Sequence, residues 1–149
     1  MKEERRLVWR VLRHWRQISD GERFPRREEI DVWMRGEDGA NCLLIEVGWS
    51  IDLSHFAVVG VNLAVALCPT DTLAGMLLSQ VPQVISSRRG LMLEGVATLR
   101  GTGILCRAVL VPLSENGATI DYMLGAMNYH SLRADEAPTT QALFRTHWL

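Results

Sequence analysis

Long apolar runs are missing from this sequence. No stretch of about 18 apolar residues occurs, and the charged N-terminus has no apolar segment behind it, so neither a membrane span nor a secretory leader is expected. Cysteine is scarce: Cys42, Cys68 and Cys106 are odd in number and widely spaced. That suits reduced, buried thiols in a cytoplasmic chain rather than a disulfide framework or a zinc site. There is no internal repeat and no low-complexity tract. Catalytic patterns are absent too. No serine stands in a strand-to-helix elbow and no histidine pairs with a cysteine in a recognisable pattern, which removes the usual nucleophile, base and acid arrangements. Gly101-Thr102-Gly103 lacks the strand-to-helix setting of a phosphate cradle. Glu46 and Asp121 are a candidate carboxylate pair across strands, but solvated or capping roles account for such a pair more simply. His14, among arginines, and His55, at a strand start, read as structural or surface residues. No catalytic residue, metal ligand or cofactor is expected.

Charge of one sign is also lacking overall, with 16 Lys and Arg against 17 Asp and Glu. The balance conceals a gradient. Residues 1–27 hold nine basic and four acidic side chains, and residues 28–149 hold seven and thirteen, or about +5 and −6. A basic arm suits nucleic acid or an anionic surface, yet these arginines are spread around a helix without a recognition module, so a solvated face is the simpler reading.

What is present suits one compact domain: 149 residues, 48% hydrophobic and 22% charged. The clearest local signal lies late. Two apolar runs, 104–113 and 119–127, flank Ser114-Glu115-Asn116-Gly117, and Asn-Gly between apolar runs predicts a β-hairpin. Both faces of its arms are largely apolar, which predicts central strands covered on both sides. Earlier, Leu7, Val8, Val11, Leu12, Trp15 and Ile18 form one stripe of a helix over residues 3–19, with arginines on the other face and Trp9 off the stripe. Phe24-Pro25 prevents its resumption. A short helix is predicted over 26–34, with Ile30, Trp33 and Met34 inward, then strands over 41–49 and 55–60. Two or three short helices follow across 61–89, broken by Pro69, Gly75 and Pro82, and a strand over 91–100. Residues 141–149 read as a short helix or a tail. The order indicates an α+β domain with one sheet, short helices on one face and the N-terminal helix on the other. The expected divisions are an N-terminal amphipathic helix over 1–20, a domain over 21–130 and a C-terminal tail or short helix over 131–149.

The sequence resembles the PAS superfamily, and more closely a bacterial PAS-like group of short, mostly single-domain proteins with a long N-terminal helix. Trp15-Arg16, Pro25-Arg26 followed by Ile30-Asp31, the strand Leu43-Leu44-Ile45-Glu46-Val47, Val58-Val59-Gly60, Thr72-Leu73-Ala74-Gly75, Val111-Pro112-Leu113-Ser114 and Ile120-Asp121 leading to Leu124-Gly125-Ala126 carry the resemblance, in that order, over about residues 7–127. It implies a five-stranded antiparallel sheet in the order 2-1-5-4-3. It also implies a sensory or regulatory role in signalling, by small-molecule binding, dimerisation or docking on a signalling partner. The cavity it implies has Ile45, Val58, Ile85, Cys106, Tyr122 and Leu124 as candidate lining for a small apolar ligand. The helix stripe Leu7, Val8, Val11, Leu12 and Trp15, with Met123, is the candidate interface of a homodimer. Haem-binding relatives ligate iron through a histidine on the helix before the third strand, and Val81 to Arg89 contains none. Flavin photosensors place their cysteine in an Asn-Cys-Arg setting, whereas Cys68 lies between Leu67 and Pro69. Arg6 and Arg10 with Asp52 and Ser54 superficially match a cyclic-dinucleotide motif, but Ala57 stands where that motif needs glycine. With no effector segment left over in 149 residues, output is expected through contact. A small-molecule carrier or enzyme using the sheet–helix pocket, and a nucleic-acid binder using the basic helix, are the competing classes.

Overall fold

The computed structural model describes residues 2–19, 23–48, 54–64, 72–99, 102–131 and 144–148. Apolar spacing produces α1 (Lys2–Ile18), and α2 (Arg27–Met34) follows the extended Phe24-Pro25 segment. The Arg26 amide donates to Glu29 Oε1, closing the N-terminal turn of α2. A 3-10 turn (Glu37–Asn41) leads into β1 (Cys42–Glu46) and β2 (His55–Val59). Then come α3 (Thr72–Ser79), α4 (Val81–Ser87), β3 (Leu91–Leu99), β4 (Thr102–Leu113), β5 (Tyr122–Ser131) and β6 (Phe144–Trp148). The α+β class holds, and the strands form one antiparallel sheet in the order β2-β1-β5-β4-β3-β6. Its first five strands follow the expected order. The sixth corrects the expectation for the C-terminus, because 144–148 is a strand paired with β3 and neither a helix nor a tail. The alternation Phe144, Thr146, Trp148 against Arg145, His147 is the signal for it, and Arg145 stands at the register position opposite Glu94.

β4 and β5 are the long central strands, as their apolar faces require, and each face has its own layer. In the first layer Leu7, Val8, Val11 and Leu12 of α1, with Ile30 of α2, pack on Cys42, Leu44, Val109, Val111, Leu113, Leu124 and Ala126. In the second, Leu77 of α3 and Val81 and Val84 of α4, with Phe24, pack on Leu43, Ile45, Leu91, Leu93, Cys106, Leu110, Met123 and Met127. Burying each such aliphatic side chain stabilises the fold by about 1.5–3 kcal/mol before entropy is subtracted. Two polar links fix α1 on its layer: Trp15 Nε1 donates to Pro112 O at 2.9 Å, and Arg10 makes a two-pronged contact with Asp38 at 2.7 and 2.8 Å.

The β4–β5 connection is longer than the Asn-Gly signal suggests. The strands end at Leu113 and begin again at Tyr122, not at Thr119, because Asn116 turns the chain with its side chain. Its Oδ1 accepts from the amides of Ala118 and Thr119, and Gly117 takes φ +82°. The loop is tied down from outside the hairpin as well. The Ser114 amide donates to Pro25 O, and Arg88, itself left-handed at the end of α4, donates to Ala118 O while lying over the Phe24 ring.

Candidate functional site

The residues expected to line one cavity are divided by the sheet. Partners directly opposite in antiparallel strands share a face. Cys106 stands opposite Tyr129, whereas Tyr122 stands opposite Leu113 and Glu46. Tyr122 and Tyr129 are an odd number of positions apart on one strand and so project to opposite faces. Cys106 and Ile45 therefore belong to the layer under α3 and α4, and Tyr122 and Leu124 to the layer under α1. Val58 and Ile85 lie at the surface, 40% and 38% exposed. The structure does not bring these six residues together. From the sequence, the short helices are expected over the Tyr122 face and the N-terminal helix over the Met123 face; the structure reverses this, with α3 and α4 covering the Met123 face and α1 the Leu124 face. Leu7, Val8, Val11 and Leu12, assigned from the sequence to a partner, are buried against the chain's own sheet, and Met123 is buried on its far side.

The reactive side chains each have local duties. The Cys42 thiol donates to Asp38 O at 3.2 Å, and burial, reinforced by the Asp38 charge, pushes its pKa up to about 12, so the thiolate needed for nucleophilic or metal chemistry is suppressed. Cys106 is buried and reduced, and Cys68 and Asp52 lie outside the described residues. Glu46 meets His55 at 3.2 Å, while Asp121 Oδ2 accepts from the Glu115 amide, so the two carboxylates suggested as a pair have separate partners. Among the described residues no three His, Cys, Asp or Glu side chains are grouped to hold a metal ion. Arg10 of the Arg6/Arg10 pair is engaged by Asp38. Arg27 lies 5.0 Å from the Tyr122 ring centre, and its contact with Tyr122 raises its pKa further.

Two surface features stand out among the described residues. On the outer side of α1, Trp9 is 52% exposed. With Arg13, Arg16 and Gln17 it borders a shallow hollow of about 400 Å³, floored by Leu12. Trp9 falls off the inward stripe in the sequence, and here that offset becomes an exposed indole among guanidiniums. The second feature was not legible. Asn62 Nδ2 donates to Asn41 Oδ1 at 2.7 Å, and Asn41 Nδ2 donates to Asn128 Oδ1 at 2.9 Å, a chain of three amides beside a cleft of about 270 Å³. Asn41 and Asn128 are 87 positions apart, and lone asparagines in turns and strand ends give no sign of being neighbours.

No described helix is long and apolar enough to cross a membrane. Comparisons with family models, curated proteins and solved structures found no match.

Proposed function

We propose that this chain is a non-catalytic, PAS-like regulatory module of a signalling system, cytoplasmic, whose output is contact between α1 and an acidic surface of another protein. The observation that carries this reading is Trp9, a large apolar side chain left half in water on a helix whose inward stripe is already filled. Tryptophan and arginine are the residue types that most often anchor protein interfaces: the indole presents a broad, rigid apolar surface for little loss of rotamer freedom, and the guanidinium a planar, weakly hydrated charge. Arg13 and Arg16 beside it supply charge for an acidic partner. A second copy docking by twofold symmetry is the competing occupant, but that symmetry places the same patch against itself and brings Arg13 and Arg16 toward their own equivalents. The order of the first five strands, 2-1-5-4-3, supports the PAS-like part of the reading, and the burial of Leu63, Leu77, Val84 and Leu91 among the described residues between sheet and short helices favours contact over an internal apolar ligand.

The test is quantitative capture from source-cell extract by wild type, Trp9→Ala and Arg16→Glu, with circular dichroism confirming an unchanged fold. A partner retained by wild type and lost by both variants is expected. Equal retention by all three, or no partner for any, removes the reading. Competition by mixed-sequence DNA at low salt, relieved by added salt, would move the assignment to nucleic acid.

A further inference from the structure

We infer that the cleft beside the three-asparagine chain is a binding site for a small, neutral, planar amide, of the carboxamide or pyrimidine-base class. This site is separate from the α1 surface and does not depend on it. The cleft is built by three distant parts of the chain. The Gly60 amide donates to Cys42 O at 2.7 Å and the Asn62 amide to Ala40 O at 2.9 Å, which lays the turn after β2 against the end of the 3-10 helix. Gly60 permits that approach, since a Cβ there would collide with the carbonyl oxygens of Gly39 and Ala40. Asn128 arrives from β5, just beyond the last residue that β1 pairs, Ala126.

The lining selects the ligand. Leu63 and Met127 form an apolar part, and Tyr129, Asn41, Asn62 and Asn128 complete the wall. None of these six is Lys, Arg, Asp, Glu or His, so the lining has nothing to neutralise a charged ligand. Within the chain, Asn41 uses both its Nδ2 and its Oδ1, which leaves an acceptor on Asn62 and donor hydrogens on Asn128. Reversing every amide leaves the same complement, one donor end and one acceptor end. A ligand that meets either or both ends offers a donor to Asn62 and an acceptor to Asn128, and a carboxamide or lactam carries both kinds of group without charge. The volume of about 270 Å³ lies just under the roughly 300–1,000 Å³ typical of sites for drug-sized molecules, so the occupant is about one ring in size.

The experiment is saturation-transfer NMR on the full chain with nicotinamide and uracil as probes and methyl nicotinate, which keeps the ring but loses the amide donor, as control. Saturable binding of at least one amide probe at millimolar concentration is expected, with methyl nicotinate at least tenfold weaker. Asn128→Asp, which keeps the shape and replaces the donor, should weaken the amide probe at least tenfold with an unchanged circular dichroism spectrum. Asn62→Leu should do the same, and it serves as the second readout if the Asn128 variant fails to fold. Absence of binding by both amide probes to wild type, equal binding of methyl nicotinate, or undiminished binding by the folded variants overturns the inference. None of these outcomes bears on the contact made by Trp9.

Discussion

His14 sits half-buried on α1, and burial lowers its pKa from the ordinary 6.5 because desolvation penalises the imidazolium. The folded chain therefore takes up this proton at a lower pH than the unfolded chain does. Between the depressed folded value and about 6.5, the unfolded state binds more protons, so stability is full above 6.5 and falls as pH drops through that window. The C2-proton resonance of His14 is expected to titrate with a midpoint below 6.5, and His14→Gln should flatten the dependence of the urea midpoint on pH there. A midpoint above 6.5 would contradict the burial argument. Cys42, by contrast, is pushed to about 12 and contributes nothing to pH dependence in this range. Neither behaviour is written in the sequence: His14 looks like one more polar residue among arginines, and its environment exists only once α1 lies on the sheet.

At the scale of elements, two glycines that look alike in the sequence differ in consequence. A Cβ on Gly125 of β5 would stand 2.6 Å from Leu43 Cδ1 and 3.1 Å from Leu110 Cδ2, side chains locked in the second layer. Gly125→Ala is therefore expected to lower stability by about 1–3 kcal/mol in urea denaturation, the usual effect of overpacking a filled core. Gly75 in α3 has nothing within 4 Å of the added atom, so Gly75→Ala should raise stability by about 0.5–1 kcal/mol through reduced backbone freedom in the unfolded chain. A neutral or stabilising Gly125→Ala would show looser packing at β5, and a destabilising Gly75→Ala would remove the unfolded-chain argument for α3. Most elements themselves were legible. The stripe of α1, the Phe24-Pro25 break, β1 to β5 and the short helices follow from periodicities of 3.6 and 2 and from turn residues. The start of β5 was missed because Ile120 and Thr119 continue the apolar pattern, while Asn116 had already committed the backbone to a longer loop.

For the whole molecule, the consequential fact is that α1 is a structural layer. Its stripe reads as a dimerisation surface, so removing residues 1–20 would be expected to convert a dimer to a folded monomer. The packing predicts another result. Without α1, Cys42, Leu44, Val109, Val111, Leu124 and Ala126 lose their cover, an apolar face well beyond the scattered exposure a soluble surface tolerates. The truncated chain is expected to lose cooperative thermal unfolding or to aggregate, as monitored by circular dichroism and sedimentation velocity. A truncated chain that stays monomeric and melts cooperatively would show that α1 is dispensable. The same packing moves any partner to the outer face, where Trp9 and Arg16 remain available for contact.

The sequence alone determined the α+β class, the central position of β4 and β5 and the need for a layer on each face, because hydrophobic periodicity and turn chemistry are local properties. The tertiary structure alone decided which layer covers which face. Both faces of β5 are apolar, so shifting the assignment by one residue leaves the pattern almost equally satisfied, and only packing of α1 on Val109, Val111 and Leu124 selects between them. For the same reason Cys106 and Tyr122 were placed on one side when the register puts them on two. The sixth strand and the asparagine chain join positions tens of residues apart. The alternation over 144–148 marks a strand, but its pairing with β3, like the asparagine chain, leaves no local trace in a single sequence and appears only when the sheet brings the ends together.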